Sequence, residues 1–233
     1  MPFYGTGPIL FEDTFTYSDG DLGTVGTAKW NAGFWTGQTT LRVVSGKAAG
    51  PASNGWRDNY SKTSVSLGST GIEFIIRNIA RAANTDAATF SHVFGAQGAS
   101  PSSYYILYSN RNGNYYYQAG KLVSGSFNSL ITTTQVAVNG DDVCLQILPN
   151  GTMSLWRKPS GGSWSQIGSN ATDTTRTTGV VALEAFVSAA RWDAVEVREI
   201  PAASRLKRHN GSIWVPAKLK AGSGWVEKPL KKL

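Results

Sequence analysis

Cysteine is nearly missing from this chain. Cys144 stands alone among 233 residues, which excludes an intrachain disulfide framework and any cysteine-based zinc cluster. Histidine is almost as scarce, and only His92 precedes the last thirty residues or so. Charged residues reach 16%, below the roughly 25% of an ordinary soluble domain, so coiled coils, helical bundles and charge-driven disorder all fit poorly. Long apolar runs are lacking too. Even the stretch 179–187 is short and carries Glu184, where a membrane helix needs about 18 apolar residues, so no membrane partner is expected. The first eight residues have neither a basic nor an apolar signal region, so no secretory leader is expected.

What the chain does contain is glycine (26), tryptophan (8) and many small polar residues, a loop-rich, β-rich composition. The formal net charge of +7 is unevenly divided. Residues 1–204 hold 14 Lys+Arg and 14 Asp+Glu, and residues 205–233 hold 8 Lys+Arg and Glu227 alone. The larger part is therefore neutral, and a neutral, aromatic-rich β domain suits an uncharged ligand better than a polyanion.

Short alternating runs separated by turn residues fill the chain from Ile9 to about Pro201. In Ile72-Glu73-Phe74-Ile75-Ile76 and Val143-Cys144-Leu145-Gln146-Ile147, apolar residues recur at every second position. That period predicts antiparallel strands with one buried and one more open face. Asn112-Gly113 and Asn150-Gly151 supply the positive φ values of type I′ hairpins. Residues 142–167 thus read as a three-stranded meander, and one short helix at most is allowed, over 79–88. Pro201-Ala202-Ala203-Ser204 reads as a linker, giving an N-terminal arm (1–8), a sandwich (9–201) and a tail (202–233). The tail repeats a unit: Leu206-Lys207, a Gly-Ser turn, Trp214-Val215-Pro216; then Leu219-Lys220, a second turn, Trp225-Val226; then Leu230-Lys231. Hairpins this small bury too little surface alone, so Leu206, Trp214, Leu219, Trp225 and Leu230 are the expected assembly or attachment residues. The recurrence of the tryptophans at eleven residues favours an anchor over a nucleic-acid stacking platform, and no nucleic-acid partner is expected.

Catalytic constellations are hard to find. Glycoside hydrolysis needs two carboxylates flanking one bond, which a strand provides at i and i+2. Glu196 and Glu199 are three apart and would face opposite sides, while Asp19 and Asp21 lie in a glycine turn where aspartate is ordinary turn chemistry. His92 has no Gly-x-Ser-x-Gly elbow beside it and reads as a half-buried strand histidine. Asp13, Asp19, Asp21 and Asp193 offer oxygen ligands for a structural calcium ion, although turn and edge solvation explain them equally. No catalytic residue and no other cofactor is expected.

Six of the nine tyrosines fall within residues 104–117, on the hairpin turned by Asn112-Gly113. A two-residue turn pairs Arg111 with Asn114, Ser109 with Tyr116 and Leu107 with Gln118. One face then carries Tyr104, Ile106, Tyr108, Tyr115 and Tyr117 and belongs to the core. The other carries Tyr105, Arg111, Tyr116 and Gln118, a mixture of rings and bidentate donors that suits a glycan, although cross-strand packing would also explain it. Trp35, Trp56 and Arg57, in loop-like segments, could extend that platform.

Phe11-Glu12-Asp13-Thr14-Phe15, Ser18-Asp19-Gly20-Asp21-Leu22-Gly23 and Lys29-Trp30 resemble the opening of concanavalin A-like (laminin G-like) jelly-roll domains. Arg191-Trp192-Asp193-Ala194-Val195-Glu196-Val197 resembles their last strand, which pairs beside the first. The Gly-Ser-x-Trp-Val-x-Lys-Pro-Leu-Lys units resemble the C-terminal ends of minor tail proteins of phages that infect actinobacteria. These resemblances imply an antiparallel jelly-roll sandwich with a hairpin-repeat extension. They also imply a non-catalytic, oligomeric virion tail component, made in the host cytoplasm and partnered by other tail proteins and host surface glycan. A glycan-degrading enzyme of the same fold and a purely structural scaffold remain alternatives.

Overall fold

The computed structural model describes residues 5–53, 55–80, 89–111, 114–186, 188, 190–201 and the strand residues of the tail. The Ala-rich stretch 81–88 lies outside the described residues. Two sheets face each other. The first is ordered β1 (Ile9–Asp13), β17 (Ala194–Glu199), β7 (Ile72–Ile79), β12 (Asp141–Ile147), β13 (Thr152–Lys158), β14 (Ser165–Thr172). The second is ordered β11 (Ser126–Val136), β10 (Asn114–Val123), β9 (Ser102–Arg111), β8 (Thr89–Ala96), β15 (Thr178–Ala185), β6 (Arg57–Ser66), β3 (Trp30–Ala32). A small sheet of β16 (Arg191–Trp192), β5 (Lys47–Ala49), β4 (Arg42–Val44) and β2 (Gly20–Asp21) stands beside them. The single four-residue helix α1 (Leu22–Val25) falls in the glycine turn. Among the described residues the strands of these sheets pair antiparallel, so this is the jelly-roll sandwich that the alternation implied. The last long strand does lie beside the first, with Asp13 opposite Val195.

The opening motif has a physical basis. The buried Asp13 carboxylate accepts hydrogen bonds from the Trp30 indole N–H, the Tyr17 hydroxyl (2.8 Å) and the Phe15 amide (2.9 Å). It thereby ties β1 to β3 while Phe11 packs edge-on against the Trp30 ring. Between the sheets, Phe74, Ile76, Val143 and Leu145 meet Tyr104, Ile106, Tyr108 and Tyr117 in one core. The Tyr117 hydroxyl donates to Asp141 (2.9 Å), which also receives Arg157 in a bidentate pair (2.6 and 2.9 Å). With the Val138 amide, which also donates to it (3.0 Å), burial of that charge is matched by four donors.

One expectation needs correction here. The second face of the β7–β12 pair is not open: Ile75 and Cys144 are fully buried under Trp156, with Trp164 packed against them. Burial pushes the Cys144 thiol well up, which leaves it inert.

The chain forms two compact units, residues 1–200 and 201–233. In the second, β18 (Arg208–His209) pairs with β19 (Ser212–Ile213), and β20 (Lys218–Ala221) pairs with β21 (Gly224–Glu227), with Leu219 opposite Val226 and Lys220 opposite Trp225. The backbone thus forms the hairpins that the repeat predicts. The side chains of the tail, and Leu206, Trp214 and Leu230 altogether, lie outside the described residues.

Candidate functional site

The tyrosine hairpin forms in the anticipated register: Arg111 opposite Asn114, Tyr116 opposite Ser109, Gln118 opposite Leu107. Its inward face is the core, with Tyr104, Ile106, Tyr108 and Tyr117 each at most 2% exposed. The outward face divides into two regions, and the seven suggested residues divide with it.

The first region is an aromatic cluster that contains Tyr105. Tyr105 was assigned to the open side, yet it is 2% exposed. Phe90 and Phe127 both stand edge-on to its ring at 5.5 Å, and burial pushes its hydroxyl up to about 12. The reason is β11, a strand whose polar sequence shows no clear alternation: it carries Phe127 back over the face, stacked on Phe90 at 4.5 Å. Gly120 completes the seat, since a Cβ there would lie 2.4 Å from the Tyr105 Oη. Trp35 and Trp56, both half-buried, pack against this cluster. Arg57 opens β6 instead of lying in a loop, and its Nη1 donates to the Trp56 carbonyl (2.7 Å). The side chain of Arg111 lies outside the described residues.

Beneath the cluster runs a buried polar row. The Asp58 carboxylate accepts the backbone N–H groups of Gly33, Phe34 and Trp35 at 2.7–3.0 Å, holding the loop after β3 in place. Glu184 lies opposite Asp58 across β6 and β15 and accepts from the Trp35 indole (3.2 Å). The His92 Nε2 lies 3.1 Å from Glu184, and its Nδ1 lies 2.9 Å from the Ser103 hydroxyl. His92 is fully buried instead of half-buried. The structure therefore aligns a hydroxyl, an imidazole and a carboxylate, and sets two carboxylates side by side, combinations that sequence spacing did not reveal because they form across strands. Ser103, His92, Asp58 and Glu184 are each at most 4% exposed, and every one is engaged. Such a row braces the sheet. Burial, aided by Glu184 and opposed by the three backbone donors, raises Asp58 from 3.8 to about 7.

The second region is a groove of about 760 Å³ lined by Tyr116 and Gln118 of β10, residues 132–136 of β11 and residues 166–169 of β14. It lies where the edge strands of the two sheets approach each other, and both are irregular there. Along β11, the steps from Thr132 to Val136 answer only those from Gln118 to Tyr116, so extra residues bulge outward. Along β14, the steps from Ile167 to Ala171 answer only those from Leu155 to Met153. Gly168, at φ +72°, turns this second bulge, and a Cβ on it would meet β11 at 2.9–3.1 Å. Bulges of this kind end the regular ladder and redirect side chains.

No residue lining the groove is charged. Its polar groups are a phenol, three amides and several hydroxyls. Thr133 donates to the Tyr117 carbonyl (3.0 Å) and Gln166 to Asn170 (2.7 Å). The Tyr116 hydroxyl and the Gln118 amide have no protein hydrogen-bond partner among the described residues.

The aspartates considered for calcium are dispersed. Asp13 is taken up as described, Asp19 accepts the Ser45 amide (2.7 Å), and Asp193 pairs with Lys47 (2.6 Å) and Asn78. The Glu196 carboxylate is held by Arg77 (2.8 Å) and Arg198 (2.7 Å), which keep its acidity above the ordinary.

No protein-family model matches the sequence, and no curated protein matches it. Solved structures share the fold. A legume lectin-like domain from Entamoeba histolytica superposes with TM-score 0.55 at 9% identity, covering 75% of this chain and 92% of that one. The carbohydrate-binding module CBM66 from Bacillus subtilis gives 0.51 at 12%, covering 73% and 95%. An immunostimulatory antigen and pseudo β-1,3-glucanase of Mycobacterium tuberculosis gives 0.56 at 13%, covering 84% and 100%. The sandwich is therefore a lectin-like jelly roll.

Proposed function

We propose that the sandwich is a non-catalytic module that binds a neutral glycan in the groove between β10, β11 and β14. The observation that carries this reading is the lining, uncharged among the described residues, in which the Tyr116 hydroxyl and the Gln118 amide have no protein hydrogen-bond partner among those residues and stand between two bulged edges. A pyranose offers C–H faces to a ring and hydroxyl pairs to an amide, the chemistry such a lining complements. Two of the similar structures, a legume lectin-like domain and a carbohydrate-binding module, agree with it. Closure of the Asp58–Glu184 and Ser103–His92 groups under Phe34 and Trp35 supports binding without hydrolysis.

In the same reading the protein is a minor tail component of a phage virion, contacts host surface glycan through the sandwich, and attaches or oligomerises through residues 202–233. The repeated tail units and their charge of +7, against a neutral sandwich, support that part.

Affinity electrophoresis through gels containing laminarin, galactomannan or dextran, with alginate as the acidic control, tests the binding. Retardation by at least one neutral polysaccharide, lost in Tyr116→Ala and Gln118→Ala with the melting temperature kept, is the expected result. Retardation by alginate alone, or by none, overturns it.

A further inference from the structure

The groove does not end at Gln118. That residue lies opposite Leu107 on β9, and Leu107 lies opposite Phe90 on β8. These are outward positions on three adjacent strands, two strand spacings or about 10 Å across. Leu107 is half-buried and packs against the cluster, so among the described residues the strip between groove and cluster keeps some exposed surface. At its far end Phe127 stacks on Phe90 at 4.5 Å and is itself 44% exposed. The Trp35 ring lies 6.4 Å from it, tilted by 37°. The Phe127 ring, backed by Phe90, is thus open on part of its surface and can accept the C–H face of a sugar.

Resting on the glycan reading of the groove, we infer that the ligand is a polymer and not a single terminal sugar. It enters the groove at Tyr116 and Gln118, crosses Leu107, and stacks a further unit on the Phe127 ring. The span from the groove to that ring exceeds one sugar ring, so only a chain of several units reaches both ends. The groove supplies polar recognition, and Phe127 supplies a linkage-tolerant apolar platform. A protein partner would contact the same strip without any dependence on sugar-chain length, which makes it an outcome that the experiment separates.

The test uses size-fractionated fragments of whichever neutral polysaccharide retards the full-length protein, compared by calorimetry from two to six units. Affinity should rise about tenfold between the shortest and longest fragments, the gain expected of one added aromatic stacking contact. Phe127→Leu, which keeps apolar cover over Tyr105 but removes the ring, should abolish that rise while the protein still melts in one cooperative transition and still binds the two-unit fragment. Equal affinity at every length, or a rise that survives Phe127→Leu, overturns the polymer inference while the groove stands. Absence of any binding removes both.

Discussion

Gly120→Ala is the smallest change that tests how the outward face is assembled. An added Cβ would stand 2.3 Å from the Asn128 carbonyl oxygen, 2.4 Å from the Tyr105 Oη and 2.6 Å from its Cζ. Neither side can easily give way. The carbonyl is backbone in the β10–β11 ladder, where Lys121 lies opposite Asn128, and the Tyr105 ring is packed against the edges of the Phe90–Phe127 stack. One methyl forced into a filled site costs about 1 to 3 kcal/mol. For a domain of this size that lowers the melting temperature by about 2 to 12 °C. Differential scanning calorimetry of the wild type, Gly120→Ala, and Gly120→Ala combined with Tyr105→Phe reads the effect. Removing the Tyr105 hydroxyl relieves one of the three contacts only, so the double variant should stay well below wild type. An unchanged melting temperature in Gly120→Ala, or full recovery in the double variant, would refute the packing described.

Tyr105→Ala should lower stability by about 3 to 5 kcal/mol in chemical denaturation, as buried aromatic truncations do, whereas Tyr116→Ala should leave stability within about 0.5 kcal/mol; the opposite order would contradict the two environments. Asp58, raised from 3.8 to about 7, is a group whose stabilisation is fully present below its unfolded value and is lost as pH rises through 7. Stability should fall between pH 4 and 7 with a slope of up to about 1.4 kcal/mol per pH unit, and Asp58→Asn should flatten it; an unaltered slope in the variant sinks the assignment. Asp173, depressed by Lys121, Thr175 and Tyr104, acts in a different window: its contribution is present above the ordinary carboxylate range and lost as pH falls below it. Truncation after Ser204 should leave the sandwich melting transition in place while abolishing self-association or incorporation into particles, as ultracentrifugation or particle assembly would show; unchanged assembly would give the tail another role.

The legible parts of the sequence were those with local rules. Alternation identified β7 and β12, and Asn-Gly fixed the register of β9 with β10 to the residue, so Tyr116 and Gln118 fell on the correct face. Two things were hidden. One was β11, because Asn128-Ser129 and Thr132-Thr133-Thr134-Gln135 give no alternating apolar signal. Its strand character comes from pairing with β10, and without it neither the cover over Tyr105 nor half of the groove can be anticipated. The other was chemistry built across strands. Asp58 and Glu184 are 126 positions apart, and His92 reaches Ser103 and Glu184 only through the sheet order. Spacing along one strand says nothing about such neighbours, and their burial under Phe34 and Trp35 depends on a loop held by Asp58 itself.

The central claim, that a neutral glycan is held in the groove, is tested most directly by nuclear magnetic resonance. Amide shifts of the isotope-labelled protein are followed while fragments of the retained polysaccharide are added. The account predicts saturable shifts at residues 132–136 and 166–169 and at Tyr116 and Gln118, with slower onset near Phe127 for the shortest fragments. Saturable shifts confined to other parts of the sandwich, with these positions unmoved, would contradict it.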